Sequence, residues 1–365
     1  MKASFLRVFS RALIALSATP FLVGQIKSTS DGGASVSIPV ANNPAAVSSG
    51  SQLTLHAVST MNVASELGGA FMNGTKCDSD GNLYIRKFAS DRPLLGPVVK
   101  IDVDGKRTAL FDAAAFAQLD LDRVDSFSPA PDGGLYQIAQ SGVLKRRIFV
   151  LHFSSDGTAA SPTRLDADLE VYTFAAFADG NFLASGVERD PQNKKDQGKN
   201  FTAVFSADGR ELAPLSFEKR TKAGAKGTVG AVSAAGENPP LKLDLAEAEV
   251  GSDGNLYVMR ASSPALVYVI APTGEIVKTL KIAGPTAGAM PSAFHVSGNQ
   301  MALLFWSEEH QTVVVADAQT GRKIATYVDL SGGSAFACFS ANEGVFTFLR
   351  LGEANELEVI RAAAQ

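Results

Sequence analysis

A repeated, all-β fold is predicted by three features of this 365-residue sequence. A hairpin phrase recurs along the chain, a second turn follows most copies, and no stretch carries a sustained helical period. Ser79-Asp80-Gly81-Asn82-Leu83-Tyr84 returns almost letter for letter as Ser252-Asp253-Gly254-Asn255-Leu256-Tyr257. Looser copies stand at Pro131 to Tyr136 and Ala178 to Leu183, and degenerate ones at Ser297 to Met301 and Ala341 to Val345. Asp-Gly between apolar, alternating runs marks a tight hairpin, because Gly supplies a positive φ and Asp tolerates the turn.

The second turns lie about 20 to 30 residues further on and complete a strand-turn-strand-loop-strand-turn-strand unit. They are Asp104-Gly105, Asp156-Gly157, Asp208-Gly209, Thr273-Gly274 and Thr320-Gly321. The unit repeats every 45 to 50 residues or so, the range of propeller blades, which predicts a six-bladed β-propeller of four-stranded blades. Blades begin near Gly69, Ser126, Thr173, Ala246, Ser292 and Ser334. The last lacks an outer strand, and Gln52 to Val58 is available to supply it, so the ring is expected to close through an N-terminal strand. Asp112 to Leu121 is the one stretch expected to form a short helix between blades.

Before the body, Lys2, Arg7 and Arg11 precede an apolar run from Ala12 to Gly24. This reads as an export signal over 1–24, cleaved before Gln25, with a retained N-terminal anchor as the competing reading. Residues 25–50 are rich in Ser, Gly, Ala, Asn and Pro and read as a flexible leader, leaving 51–365 for the propeller. The expected location is therefore periplasmic or extracellular, with no membrane span in the mature chain. A net charge of −4 argues against nucleic acid as a partner, since phosphate binding needs a basic face.

The Asp-Gly-Asn-Leu-Tyr hairpins, paired with later strand-Asp-Gly-strand units, resemble the six-bladed propellers of the NHL-repeat and TolB-like type. The resemblance covers roughly Ser51 to Ala362. It implies one of a range of roles: exported binding scaffold, lactonase with a metal in the channel, or lyase. The sequence departs from the NHL pattern after the second strand, where Lys87 to Pro97 and Glu188 to Asn200 replace a compact turn.

Cys77 and Cys338 fall near one level of the innermost strands in the first and last blades, neighbours across the closure. In an exported protein they are expected to form a disulfide, with two buried thiols as the alternative. His295 is expected at the level of Cys77, facing the central channel, as a metal ligand, a proton-transfer group or a structural histidine. Asp125, Glu247 and Glu249 are the carboxylates near inner strands. The likeness to gluconolactonase-type propellers implies a divalent-metal set such as Asp125, Glu249 and Asn342; without it no cofactor is expected. Nucleophile-elbow, zincin, Walker and dinucleotide signatures are absent from the sequence.

Two irregular connections, Glu188 to Asn200 and Ser216 to Asp244, emerge on one face. They carry Lys194, Lys195, Lys199, Lys219, Arg220, Lys222 and Lys226, a basic rim suited to a protein or an anionic polymer. The expected function is thus a monomeric, exported binding and protein-interaction scaffold acting through its loop-bearing face. The alternatives are a channel-metal hydrolase of the gluconolactonase type and a propeller lyase.

Overall fold

The computed structural model describes residues 52–142, 146–190, 198–215, 245–306, 311–329, 334–352 and 356–364. The export-signal and leader segments lie outside these residues. The chain enters through β1 (Leu53–Asn62) and a single helical turn, α1 (Ala64–Leu67). The first sheet is β2 (Phe71–Cys77), β3 (Leu83–Lys87), β4 (Val98–Ile101) and β5 (Arg107–Phe111). A 3-10 helix over Ala113–Leu119 follows, its first turn capped by the Asp112 carboxylate accepting from the Ala114 N–H at 2.9 Å. The second sheet is β6 (Arg123–Pro129), β7 (Leu135–Ser141), β8 (Arg147–Phe153) and β9 (Thr163–Leu165). The third is β10 (Leu169–Ala176), β11 (Phe182–Glu188), β12 (Lys199–Phe205) and β13 (Glu211–Pro214), and the fourth is β14 (Leu245–Val250), β15 (Leu256–Arg260), β16 (Ala265–Ile270) and β17 (Ile276–Ile282).

The remaining strands are β18 (Pro291–Ser297), β19 (Gln300–Trp306), β20 (Gln311–Asp317), β21 (Lys323–Asp329), β22 (Ala335–Ser340), β23 (Val345–Leu351) and β24 (Leu357–Ala364). Together with β1 they form one eight-stranded sheet in the order β18-β19-β20-β21-β1-β24-β23-β22. This corrects the expectation of six separate blades: the propeller has four four-stranded blades and one long sheet. The physical cause is β1, which serves two edges. It pairs antiparallel with β24 from Leu55 to Asn62, while Leu53 to Leu55 pair in parallel with Tyr327 to Asp329 of β21. A strand that satisfies both neighbours erases the boundary between them. The sheet folds on itself around Leu304, Val313, Phe346, Phe348 and Ile360, all buried.

The strands β2, β6, β10, β14, β18 and β22 are innermost and follow one another around an axis, with β22 returning against β2. Apolar clusters fill the spaces between successive sheets. Tyr84, Phe111, Phe116, Phe127 and Phe153 pack between the first and second, and Phe177, Val204, Val258 and Ile270 between the third and fourth.

The repeated phrase earns its turn chemistry differently in its two near-identical copies. In the later one Asp253 accepts from the Asn255 N–H at 3.1 Å and from the Tyr257 hydroxyl at 3.1 Å. In the earlier one Asp78, not Asp80, accepts from the Asn82 N–H at 3.0 Å and the Tyr84 hydroxyl at 3.2 Å. Gly251 stands where Asp78 does in the first copy, so only there must the later aspartate close the turn. Asp78 also pairs with Lys100 at 3.3 Å. Among the described residues no helix is long and apolar enough to cross a membrane.

Cys77, at the end of β2, and Cys338, in β22, join in a disulfide with Cα atoms 6.0 Å apart and a sequence separation of 261. The bond lies in a cluster with Leu83, Val99, Leu349 and Val359, at the junction of the first sheet with the last. Cross-links over so long a loop remove much unfolded-state entropy, so Cys338→Ser is expected to lower unfolding free energy by about 2–4 kcal/mol. Chemical denaturation of the oxidised protein and the variant checks this; equal stabilities would contradict it.

Candidate functional site: an axial channel with charged walls at its waist

Two cavities enter the ring along its axis. The larger, about 520 Å³, opens on the face where inner strands begin. Its walls include Phe71, Phe127, Tyr172, Phe174 and Phe336, with Lys76, Arg86, Asp125 and Glu247 among them. The smaller, about 210 Å³, opens on the hairpin face and reaches Lys76, Glu249 and His295. Lys76 and Ala248 line both, so the two meet at the waist.

Strand register explains why charged groups gather there. Lys76 pairs with Tyr84, Ser128 with Tyr136 and Glu249 with Tyr257, one level in three sheets. The β18–β19 hairpin is tighter, with Ser297 directly opposite Gln300. His295 therefore stands at the level of Lys76 and Glu249, one residue away from the Cys77 level expected from the sequence.

His295 Nδ1 lies 3.0 Å from Glu249 Oε2 but off the line of a hydrogen bond, so the contact is mainly electrostatic. Burial opposes charge on His295, yet Glu249 outweighs it and raises the imidazole above its usual value. Burial likewise opposes charge on Glu249, and His295 together with the Val296 N–H, 2.9 Å away, holds that carboxyl below the usual range. Glu247 has weaker support. It accepts from the Phe294 N–H at 3.1 Å, and burial pushes it up to about 7 against the partial relief of Lys76.

Asp125 and Asn342 do not join this group. Asp125 pairs with Arg123 at 3.1 Å on the wall of the larger cavity, and burial raises its carboxyl despite that partner. Asn342 sits in the turn between β22 and β23 and lines neither cavity. Among the described residues no group of three or more His, Cys, Asp and Glu side chains converges to hold a metal. Lys199 begins β12 and is exposed, whereas Lys194, Lys195, Lys219, Arg220, Lys222 and Lys226 lie outside the described residues. His152 stacks on Tyr136 with ring centres 4.3 Å apart, away from the waist.

Sequence reasoning passed over Lys76 and Arg86. The signal for Lys76 was available: it stands immediately before Cys77, as Glu249 stands before Val250 in the matching phrase. Arg86 carries no comparable mark. It leaves β3 to donate to the carbonyls of Val124, at 3.3 Å, and Asp125 in the next inner strand.

No protein-family model matches the chain, and no curated protein is found as a relative. Solved structures share its fold. A candidate exported protein of Bacteroides fragilis superposes with a TM-score of 0.50 at 10% identity, over 85% of this chain and 95% of that one. The WD40 domain of Pan2 from Neurospora crassa gives 0.45 at 10% identity, over 86% and 97%. The PQQ-bound aldose sugar dehydrogenase of Streptomyces coelicolor gives 0.43 at 10%, over 86% and 98%. With the sheet arrangement, the first match makes the chain a β-propeller; the NHL-repeat and TolB-like type is not distinguished. At such identity only the fold is shared.

Glu247 gives the site a pH signature. The folded protein keeps this proton to higher pH than the unfolded chain, so its contribution is complete below the ordinary carboxylate range and is lost as pH climbs through about 7. Removing the group should cancel a change on the order of 3 kcal/mol over that window. Denaturation of the wild type and Glu247→Gln at pH 5 and pH 8 is expected to show the variant gaining relative stability at the higher pH. A pH-independent difference would contradict it.

Proposed function

We propose that this β-propeller is an exported binding scaffold that docks a protein partner on its loop-bearing face. The observation that carries the reading is that the exposed aromatic side chains among the described residues, Phe88, Tyr172 and Trp306, share that face. Each sheet presents the ends of its second strand and the start of its first on that face. Phe88, Leu94, Tyr172, Met290, Trp306 and Leu351 all lie there, between 40% and 62% exposed. Tyr172 also lines the larger cavity, together with Phe71, Phe127, Phe174 and Phe336. Exposed aromatic and methionine side chains around a concave centre are the composition of interface cores.

The basic side chains of the neighbouring connections, Lys194, Lys195, Lys199, Lys219, Arg220, Lys222 and Lys226, would favour an acidic partner. Export rests on the N-terminal sequence pattern. The hydrolase alternative has less to support it: Asp125 and Glu249 each face a basic side chain, and they line different cavities.

Trp306 is the sole tryptophan and is 57% exposed, which makes it a reporter of this face. The test is cross-linking capture from the native host's exported fraction, with the variant Met290→Ser/Trp306→Ser/Leu351→Ser beside the wild type. The expected outcome is a protein captured by the wild type alone, which blue-shifts Trp306 emission when purified and added back. Identical capture by both forms, or an unmoved emission, would overturn the reading.

A further inference from the structure

We propose that the loop-side cavity binds a small organic carboxylate with an apolar body, the charged end against Lys76 and Glu247 and the body among Phe71, Phe127 and Phe174. The cavity's 520 Å³ or so falls in the range of small-molecule sites. Its walls combine aromatic side chains with charged and hydroxyl groups, so an apolar body and a charged end can both be accommodated.

The charge balance selects the sign of the ligand. Asp125 is taken up by Arg123, and Glu249 by His295. Arg86 is anchored to backbone carbonyls, above the ring of Phe127. Among the described residues no carboxylate lies within ion-pair distance of Lys76, although Lys76 lines both cavities. Glu247 is faced by Lys76 from β2, by Glu249 from its own strand and by His295 from β18, and Asp125 and Arg86 share its cavity. With burial holding Glu247 at about 7, a substantial fraction is neutral near physiological pH and can donate a hydrogen bond. One unpaired cation beside one neutral carboxyl suits a carboxylate; an ammonium ligand would meet Lys76 and Arg86 with like charge.

The site goes beyond partner docking and is separable from it, because Met290, Trp306 and Leu351 do not line the cavity. The purified full chain would be titrated calorimetrically with 3-phenylpropanoate, 3-phenylpropylamine and 3-phenylpropanol, which share a body and differ in charge. Only the carboxylate is expected to bind, about tenfold more tightly at pH 6 than at pH 8, because only the fraction with neutral Glu247 is competent. In Glu247→Gln that pH dependence should vanish while binding persists, and Lys76→Met should weaken binding at least about tenfold. Tighter binding of the amine or the alcohol, no binding of the carboxylate to the wild type, or an unchanged pH dependence in Glu247→Gln would each overturn the proposal. The wild-type comparison needs no variant to fold.

Discussion

Successive inner strands of this ring do not hydrogen-bond to one another as ladders, and much of the molecule answers that constraint. Each sheet satisfies its own backbone outward from the axis, leaving the channel-facing amides and carbonyls of the inner strands in need of partners. Side chains from the neighbouring inner strand supply several of them. Ser128 Oγ accepts from the Ala176 N–H at 3.2 Å, Ser297 Oγ from the Ala341 N–H at 3.0 Å, and the Ser126 hydroxyl donates to the Tyr172 carbonyl at 3.2 Å. Between β14 and β18 the work falls to carboxylates, Glu247 to Phe294 and Glu249 to Val296. A hydrogen bond to a charged group such as the Glu249 carboxylate contributes about 1.5–3 kcal/mol, more than a neutral counterpart. The charged waist is therefore first a seam and then a site.

Closure follows the same logic at both radii. Outside, β1 covers β24 and then touches β21, so the last two strand groups share one sheet. Inside, the disulfide links β2 with β22, and Cys77 Sγ lies 3.3 Å from the Ala337 carbonyl. The closure is thus held at two radii, by strand pairing on the outside and a covalent link on the inside.

Much of this architecture was legible in sequence, and the parts that were not have identifiable causes. Hairpins are local, so Ser79 to Tyr84 and Ser252 to Tyr257 marked strands and turns directly. The parallel meeting of Leu53 to Leu55 with β21 involves residues far apart in sequence and leaves no local mark, which is why the blade count failed. Which aspartate closes a turn depended on the residue two places earlier, Asp78 or Gly251. Of the site, His295 and the two glutamates were marked by their positions near inner strands, as was Asp125, which pairs instead with Arg123. Lys76 became meaningful only when register set it at the level of Glu249 and the charge balance showed it unpaired.

Placing carboxylates in a seam has a chemical consequence. Glu249 is stabilised by an imidazole and an amide, whereas Glu247 has an amide and a more distant ammonium, so adjacent acids titrate apart. The same geometry that ties β14 to β18 thus leaves one protonatable group facing the larger cavity. The central claim, that side chains rather than backbone ladders hold the inner amides, is tested most directly by residue-resolved amide hydrogen exchange. Phe294, Val296 and Ala176 should exchange as slowly as ladder amides such as those of β15 and β19, since their N–H groups are bonded. Exchange at the rate of exposed, unbonded loop amides would contradict it.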